Sequence, residues 1–522
     1  MRNKKTRKKS GSMISAKTWF AIHAWSGFKL SILLFVVFAS GTLATISHEL
    51  DWLADSDLRV EVRESGYDFA AMLNGLHTAF PAARVDQIER PAAEGFAAVA
   101  RIRDPELGLR RVELDPYTGQ VLETGHWYGS FQRLLRDFHR YLMLPSYLGM
   151  FVVGATAFLA LASLISSFWI YPNWWRGFFR FRPGRSGDAP IFKELHKLLG
   201  VWSIVFVLIM GVTGVWYVLE YTLALAGADD DLQIEWTTLS DQRVTALAPG
   251  QRQLEPAEVI GITRAELPGI EIGIIVPPTT PDSPYYIAGQ TGELLVRDRA
   301  SHVFIDPYDG SVLARQHASS IGPVRRWVDT ADPLHFGNFA GLWSKIPYLL
   351  FGTAMTLLAA TGIWLRWKRI RRMFHRGPAK AAQARRARMG GWKWASITVL
   401  ILTVVFGTWQ VQRFSQVPRD WHSVGELVMK TGNASASANV FRSGSEYYAV
   451  LPPRVHFDPE RHAVSIPACG IGQAPAQPDI HHRIFRLPDA GRLDPDCLAG
   501  IAPQPAIENS QPATASSHTS IR

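Results

Sequence analysis

Four histidines occupy matched positions beside long apolar segments of this sequence. His23 and His196 each begin an apolar run and are each followed four residues later by a glycine, whereas His139 and His335 each precede an apolar run. An ionisable side chain at the edge of a membrane-length segment is costly to place there, so it marks a candidate functional site. The four histidines therefore define two candidate sites, one at each end of the apolar segments.

The positions of these imidazoles suit the binding of iron. Successive membrane spans run in opposite directions, so His23 and His196 lie at one depth and His139 and His335 at the other. If the two halves of the chain pack around a pseudo-twofold axis, each pair faces across the bundle and makes a bis-histidine site for b-type haem. We therefore predict two haem b groups, with these four histidines as the axial ligands of the haem irons. Nearby glycines leave room for a flat macrocycle: Gly27, Gly149, Gly200, Gly337, Gly341 and Gly352.

Other interpretations of the histidines stay open. A histidine at a bilayer interface can simply be solvated or hydrogen-bonded. It can also bind a metal without haem, although zinc needs three or four ligands and each depth supplies two. His48, at the outer end of the first apolar segment, has no counterpart at the end of the third, where Glu220 stands. We therefore interpret His48 as a residue beside the site, or as an alternative outer ligand.

The composition indicates a membrane protein. Of 522 residues, 47% are hydrophobic and only 19% are charged, against about 25% in soluble domains. The net charge is +10, but most of it lies in three short segments that flank apolar runs, which argues against a nucleic-acid partner. The only cysteines, Cys469 and Cys497, lack CxxC spacing, which disfavours a zinc site and covalent c-type haem.

Five apolar segments are long enough to cross a lipid bilayer, and the basic segments indicate which side each loop occupies. We predict a bacterial inner-membrane protein with a cytoplasmic N-terminus and large periplasmic loops. The predicted order is a basic N-terminus (1–18), span one (19–47), an outer module (51–130), an interfacial segment with span two (131–171), a cytoplasmic loop (172–195), span three (196–221), a second outer module (226–322), an interfacial segment with span four (323–367), a basic loop (368–393), span five (394–410) and an outer tail (413–522).

The two outer modules carry the same pattern. The sequence from Val112 to Leu122 matches that from Val303 to Leu313, and each contains Asp-Pro-Tyr-x-Gly between alternating runs, which indicates a hairpin. A helical stretch precedes each module's first strand, at residues 69–79 and 256–266. The predicted fold is thus a helical membrane protein with a duplicated span, α+β module and span, forming a four-helix core, plus a fifth helix and a tail. In the tail, Cys469 and Cys497 form a disulfide or remain two free thiols.

Several short motifs together resemble one known family. They are the His-x-x-x-Gly openings of spans one and three, Phe138-His139 and Leu334-His335 before spans two and four, Thr-Gly at Thr213 and Thr361, and Trp364 before basic residues. Residues 19–370 resemble the PepSY-associated transmembrane proteins, whose modules are PepSY domains. The family includes di-haem inner-membrane reductases of ferric siderophores, so the resemblance implies haem b and the reduction of ferric chelates in the periplasm.

The function expected from these observations is electron transfer across the inner membrane to a periplasmic acceptor, with a ferric siderophore or another ferric chelate as the substrate. Reduction releases Fe(II), because hard oxygen donors hold Fe(III) more tightly. No nucleotide or flavin fingerprint is present, so the donor is a quinol or a separate cytoplasmic reductase. The alternative is a non-enzymatic protein whose modules bind a periplasmic partner such as a protease. No catalytic residue is assigned, but we predict an acceptor surface formed by Trp127, Tyr128, Arg133, Arg136, Arg325, Arg326 and Trp327.

Overall fold

The structure is a computed structural model. It describes residues 15–81, 83–104, 108–182, 188–226, 244, 253–279 and 283–415, together with the backbone of strands between 421 and 486. Its helices are α1 (Ala16–Ser26), α2 (Ser31–Thr45), α3 (Ser47–Ala54), α4 (Phe69–Ala79), α5 (Phe131–Tyr141), α6 (Ser146–Ile170), α7 (Asp188–Trp202), α8 (Ile204–Leu225), α9 (Pro256–Glu266), α10 (Pro323–Phe336), α11 (Gly341–Phe374), α12 (Pro378–Ala387) and α13 (Gly391–Ser415).

All five predicted spans are helical. Helices α6, α8 and α11, and the segment Pro378–Gln412 that ends in α13, are each long and apolar enough to cross a membrane. Helices α1 and α2 together make a fifth candidate span, but they meet at an angle of 63°. The molecule is therefore a membrane protein with four or five spans in its described part.

The first and third spans are broken where the sequence predicts continuous helices. In the first, the break lies at residues 27–30, between α1 and α2. In the third, Ser203 separates α7 from α8. Each break follows a histidine within about two helical turns, so His23 and His196 lie on the shorter helix of each broken span. A break of this kind lets a side chain approach the centre of the bundle at an angle that a straight helix would not allow.

The extramembrane part is built on one eight-stranded sheet. Its strands are β1 (Arg84–Glu89), β2 (Ala98–Asp104), β3 (Gly108–Leu114), β4 (Val121–His126), β5 (Glu271–Val276), β6 (Tyr285–Gln290), β7 (Ser301–Ile305) and β8 (Val312–Gln316). The strand order is β4-β3-β2-β1-β5-β6-β7-β8, and every neighbouring pair is antiparallel.

The two predicted modules are therefore not separate sheets. They join edge to edge, with Ile88 of β1 opposite Ile275 of β5. Joining removes two exposed strand edges that would otherwise invite aggregation. Apolar residues of α4, α9 and both halves of the sheet form one hydrophobic core, which includes Met72, Ile88, Val259 and Ile275. The extramembrane part is consequently a single packed body above the helices.

Both predicted hairpins and both preceding helices are confirmed. Strands β3 and β4 flank a turn in which the Asp115 carboxylate accepts hydrogen bonds from the backbone N–H groups of Tyr117 and Thr118. Strands β7 and β8 flank the matching turn, where Asp306 accepts from Tyr308 N–H. Gly119 (φ +72°) and Gly310 (φ +76°) close the two turns in the left-handed region that glycine adopts without strain.

The C-terminal segment contains strands that the sequence did not predict. They are β9 (Trp421–Thr431), β10 (Ala434–Ser443), β11 (Glu446–Val450), β12 (Ala463–Ile466), β13 (Ile471–Pro475), β14 (Gln477–Pro478) and β15 (Ile484–Arg486). Five of them form a sheet in the order β14-β15-β11-β10-β9, and β12 pairs with β13. The disulfide prediction concerns Cys469 and Cys497, which lie outside the described residues.

Candidate functional site

The four histidines of the sequence pattern form two facing pairs. His23 of α1 and His196 of α7 have ring centroids 6.5 Å apart and ring planes at 79°. We call them the distal pair, because they lie at the end of the helices away from the sheet. His139 of α5 and His335 of α10 have centroids 6.2 Å apart and planes at 33°. We call them the sheet-side pair. Each pair takes one residue from each half of the chain.

The Nδ1 atoms of the distal pair are held by the neighbouring helices α6 and α11. His23 Nδ1 lies 3.0 Å from the carbonyl oxygen of Ser163, which can only accept a hydrogen bond. His196 Nδ1 lies 3.0 Å from Thr361 Oγ1. That hydroxyl already donates to the carbonyl of Leu357, so it accepts from His196. Both imidazoles therefore carry their proton on Nδ1, which leaves the Nε2 lone pair free to bind a metal.

The sheet-side pair is held in the same way by α2 and α8. His139 Nδ1 lies 3.1 Å from the carbonyl oxygen of Val37 and 3.2 Å from Ser40 Oγ. His335 Nδ1 lies 2.8 Å from Thr213 Oγ1, which itself donates to the carbonyl of Ile209. All four rings thus expose Nε2 as the free nitrogen. This arrangement is typical of metal-binding histidines, whose other nitrogen donates to an oxygen.

Glycines beside two of these hydroxyl residues let the imidazole rings approach. A Cβ at Gly41 would lie 2.6 Å from His139 Cε1, and a Cβ at Gly362 would lie 3.2 Å from His196 Cε1. Any larger residue at Gly41 would displace the ring. The Ser40-Gly41 and Thr361-Gly362 pairs therefore combine a hydrogen-bond acceptor with the space that the ring needs, whereas Gly214 faces Ala157.

The spacing of each pair fits two axial ligands of one iron. An imidazole nitrogen binds a metal at about 2 Å, so two imidazoles on opposite sides of one ion have ring centroids about 6 Å apart. Both observed spacings agree with this value. Within the part of the chain that the structure describes, no group of three or more histidine, cysteine or acidic side chains is placed to hold a metal ion. Each pair therefore offers two nitrogen ligands, which suits a macrocycle that supplies four of its own.

A cavity of about 3470 Å³ connects the sheet-side pair to the sheet. It far exceeds the roughly 300–1,000 Å³ of an ordinary small-molecule site. Its wall includes His139 and His335, membrane residues such as Phe206 and Met355, and charged residues of the sheet. The cavity is therefore large enough for a cofactor at the sheet-side pair and for a further molecule beside it.

His48 lies on α3 in the wall of the same cavity. Burial, followed by the positive charges of Lys345, Arg111 and Arg136, lowers the pKa of His48 to about 3. The imidazole is therefore neutral at physiological pH. The structure pairs the ring of His139 with that of His335, and His48 lies on the wall of the cavity that this pair also lines.

Two acidic residues that the sequence did not single out as site residues hold the helices that carry the sheet-side histidines. The Asp51 carboxylate accepts hydrogen bonds from the backbone N–H groups of Phe131 and Gln132, at 2.5 and 3.0 Å, in the first turn of α5. The Asp332 carboxylate, one turn before His335, accepts from the hydroxyl of Tyr217 at 2.8 Å and pairs with Arg297 at 2.8 Å. No local pattern reveals these contacts, because each joins segments far apart in the chain.

The predicted acceptor surface is mostly a structural network. Arg325 is buried in an ion pair with Asp329, and Arg133 pairs with Asp137. The remaining members also have structural contacts: Trp127 lies under Arg133, Tyr128 hydrogen-bonds Asp137, Arg326 donates to the Leu294 carbonyl, and Trp327 packs on Trp216. Arg136 alone among the seven residues lines the cavity. Six of them therefore have contacts that support the structure around α5 and α10, and Arg325 is buried.

The fold and the paired histidines define a multi-span membrane protein with an extramembrane sheet joined to its helices. Residues 20–369 match the family model described as the PepSY-associated TM region. The chain therefore belongs to this family. A search of curated proteins found no match to the chain. The family match ends within α11, so α12, α13 and the C-terminal strands are additions to the matched region.

Proposed function

We propose that this protein is a haem b protein of the bacterial inner membrane that transfers electrons to a ferric chelate, such as a ferric siderophore, on the side of the sheet. The observation that carries the proposal is the set of two facing histidine pairs, each with its Nδ1 atoms held and its Nε2 atoms free. His23 and His196 would hold one haem, and His139 and His335 the other.

Haem, when bound, supplies one-electron chemistry whose potential depends on its axial ligands and on burial. The chain's part is to orient these ligands. Ser163 and Thr361 orient the distal rings, and Val37 and Thr213 orient the sheet-side rings. Because both pairs lie along one helical bundle, they give electrons a path between the two faces of the membrane.

We also propose that the chain is a duplication. The strand order reads outward from the β1–β5 junction in the same way on both sides. Ile88 and Ile275, which occupy equivalent positions in the sequence pattern, lie opposite each other at that junction. A twofold axis through the junction relates the two halves. This explains why each histidine pair has one member from each half.

The cavity is the proposed binding place of the acceptor. Arg136 and Arg140 lie one turn apart on α5, beside His139, and both line the cavity. Within the described residues neither forms an ion pair, although the Arg140 guanidinium lies 5.0 Å from the ring of Tyr141. Carboxylates lie near both arginines: Glu89 and Asp137 attract Arg136, and Glu220 and Asp332 attract Arg140. Two guanidinium groups on the cavity wall favour an anionic acceptor. A neutral or cationic chelate would gain less from them.

In the proposed orientation, the distal pair lies on the cytoplasmic side and the sheet in the periplasm; the basic N-terminus and the basic loops support this orientation. Electrons would enter at the distal pair from a quinol or from a separate cytoplasmic reductase. The distal pair lies at the end of the helical bundle away from the sheet, as this direction of electron transfer requires.

A visible spectrum of the purified full-length protein tests the proposal. Reduction with dithionite should give a b-type spectrum, with two haems for each chain. Substitution of any of the four paired histidines by alanine should remove about half of the haem, whereas His48→Ala should keep it. A protein without a b-type band would exclude the electron-transfer function. It would favour instead a non-enzymatic protein whose sheet binds a periplasmic partner.

A further inference from the structure

The helix that carries His139 ends in an unusual turn. Leu142 and Met143 follow α5 with φ angles of +51° and +52°. Side chains other than glycine rarely adopt this left-handed conformation. Among the described residues, one other non-glycine residue, Leu295, has a positive φ. The equivalent helix in the second half, α10, ends at Gly337 with φ +68°, which costs a glycine nothing.

Helix α13 contacts this turn directly. Gln410 Nε2 donates a 2.9 Å hydrogen bond to the backbone carbonyl of Met143. Gln410 Oε1 lies 3.0 Å from the hydroxyl of Tyr128, which also lies 3.0 Å from the Asp137 carboxylate. The Gln410 side chain therefore connects the turn that follows His139 with Tyr128, whose hydroxyl also lies beside Asp137, two residues before His139.

Close packing supports the same contact. A Cβ at Gly407 would lie 3.3 Å from Met143 Cβ, so glycine lets α13 lie against the turn. Leu142 and Leu144 are almost fully buried against apolar residues of α13, among them Leu400 and Phe406. Helix α13 thus covers the strained turn with both a hydrogen bond and apolar contacts. In the second half, glycine at the helix end makes such support unnecessary.

We propose that α13 is a positioning helix, and that Gln410 is the residue which holds the Leu142–Met143 turn and keeps His139 facing His335. The inference rests on the proposed function, in which His139 and His335 together hold one haem. Helix α13 lies outside the residues that match the family model, so this support is a feature of the present chain beyond its family region. It also gives a role to the fifth span, which contributes none of the four histidines.

The test compares Gln410→Leu with Gln412→Leu, which removes an exposed glutamine one half-turn further along the same helix. Gln410→Leu should increase hydrogen exchange of the backbone amides of residues 138–144 several-fold, and Gln412→Leu should not. In haem-loaded protein, Gln410→Leu should shift the reduction potential and the low-spin ferric EPR signal of the sheet-side haem. The reduction potential and the EPR signal of the distal haem should stay unchanged. The signals are assigned from the His139→Ala and His23→Ala variants.

A second substitution separates positioning from a general loss of stability. Met143→Gly adopts the left-handed conformation without strain, so it should restore the sheet-side signal in the Gln410→Leu background. Equal exchange and equal spectra in the Gln410→Leu and Gln412→Leu proteins would overturn the inference. If the wild-type protein holds no haem, the proposed function fails, but the exchange measurement still decides whether Gln410 holds the turn.

Discussion

At the scale of single residues, the hydroxyl groups of Thr213 and Thr361 orient two of the four paired histidines. Both belong to Thr-Gly pairs, and the sequence marks these pairs only as part of a family resemblance. The structure gives each a physical role, because each hydroxyl accepts the Nδ1–H group of one histidine. The hydroxyl proton is already used on a carbonyl of the same helix, so the direction of the hydrogen bond is determined.

Replacing either threonine by valine keeps its shape and removes the acceptor. We expect Thr213→Val to weaken binding of the sheet-side haem, and Thr361→Val that of the distal haem, each by about 10- to 100-fold. The rate of haem transfer to an excess of a haem-binding acceptor protein measures this loss. Thr222→Val is the control, because Thr222 makes the same helical hydrogen bond but lies exposed and far from the histidines. Equal transfer rates in Thr213→Val and Thr222→Val proteins would contradict the assigned role.

At the scale of secondary-structure elements, the strained turn after α5 shows the cost of placing His139. Each left-handed non-glycine residue costs on the order of 1–3 kcal/mol. Contacts with α13 offset this cost, which explains why the first half needs a fifth helix and the second half does not. The sequence predicted α13 as the shortest span and assigned it no role, because the contact between Gln410 and Met143 joins positions that no local pattern connects.

Strand β3 carries a buried carboxylate beside the cavity. Glu113 is only 1% exposed, and neither of its oxygens accepts a well-formed hydrogen bond, although Arg111 lies 2.5 Å away. Burial raises the pKa of Glu113 to about 7, although Arg111 opposes the change. Burial outweighs the ion pair here because the carboxylate lacks the donors that would replace its water.

This raised pKa makes stability depend on pH. The folded protein binds the Glu113 proton more tightly than the unfolded chain does, so the free energy of unfolding should fall as the pH rises from about 4.5 to about 7. The loss should approach about 3 kcal/mol and should level off above that pH. Glu113→Gln should reduce the slope in thermal unfolding of the detergent-solubilised protein between pH 5 and pH 8. Glu61→Gln, at an exposed position, should leave the slope unchanged, and an unchanged slope in Glu113→Gln would refute the assignment.

At the scale of the whole molecule, the cavity between the sheet and the helices is the proposed binding place of the acceptor. In spheroplasts, which lack the outer membrane, added iron(III) citrate should be reduced, and an Fe(II)-specific dye should report the product. Arg136→Gln combined with Arg140→Gln should slow this reduction several-fold, most strongly at low salt, because the guanidinium groups attract the anion.

Arg326→Gln provides the matched control, since Arg326 lies on α10, is not itself part of the cavity wall and hydrogen-bonds the backbone carbonyl of Leu294. Reduction by inverted membrane vesicles but not by spheroplasts would show that the proposed orientation is wrong. Equal rates in the double variant and in the control would remove the two arginines from the acceptor site.

Much of the architecture was accessible from sequence because it rests on strong local signals. The spans follow from long apolar segments, and the hairpins follow from Asp-Pro-Tyr-x-Gly turns between alternating strands. Helices α4 and α9 were predicted at the residues where the structure has them. The facing geometry of the histidines followed from the alternating direction of the spans and the repeat, and it needed no knowledge of individual contacts.

The features that the sequence did not predict depend on long-range contacts. The β1–β5 junction, with Ile88 opposite Ile275, leaves no trace in the alternation of either strand. The bend between α1 and α2 lies at residues 27–30, inside a segment that the sequence predicts as one continuous span. The structural contacts of the basic and aromatic residues before the sheet-side histidines were also not predicted, because composition does not show that Arg325 and Asp329 are buried together.

Because every histidine pair joins the two halves, neither pair can form while only the first half of the chain exists. Roughly 170 to 200 residues separate the members of each pair, and at about 5–20 residues per second the first histidine waits about 10 to 40 s for its partner during synthesis. In the proposed function, haem loading must therefore follow insertion of the second half into the membrane. Ribosome-stalled chains that end before His196 should carry no haem, whereas chains released after the sheet and α11 are complete should acquire it.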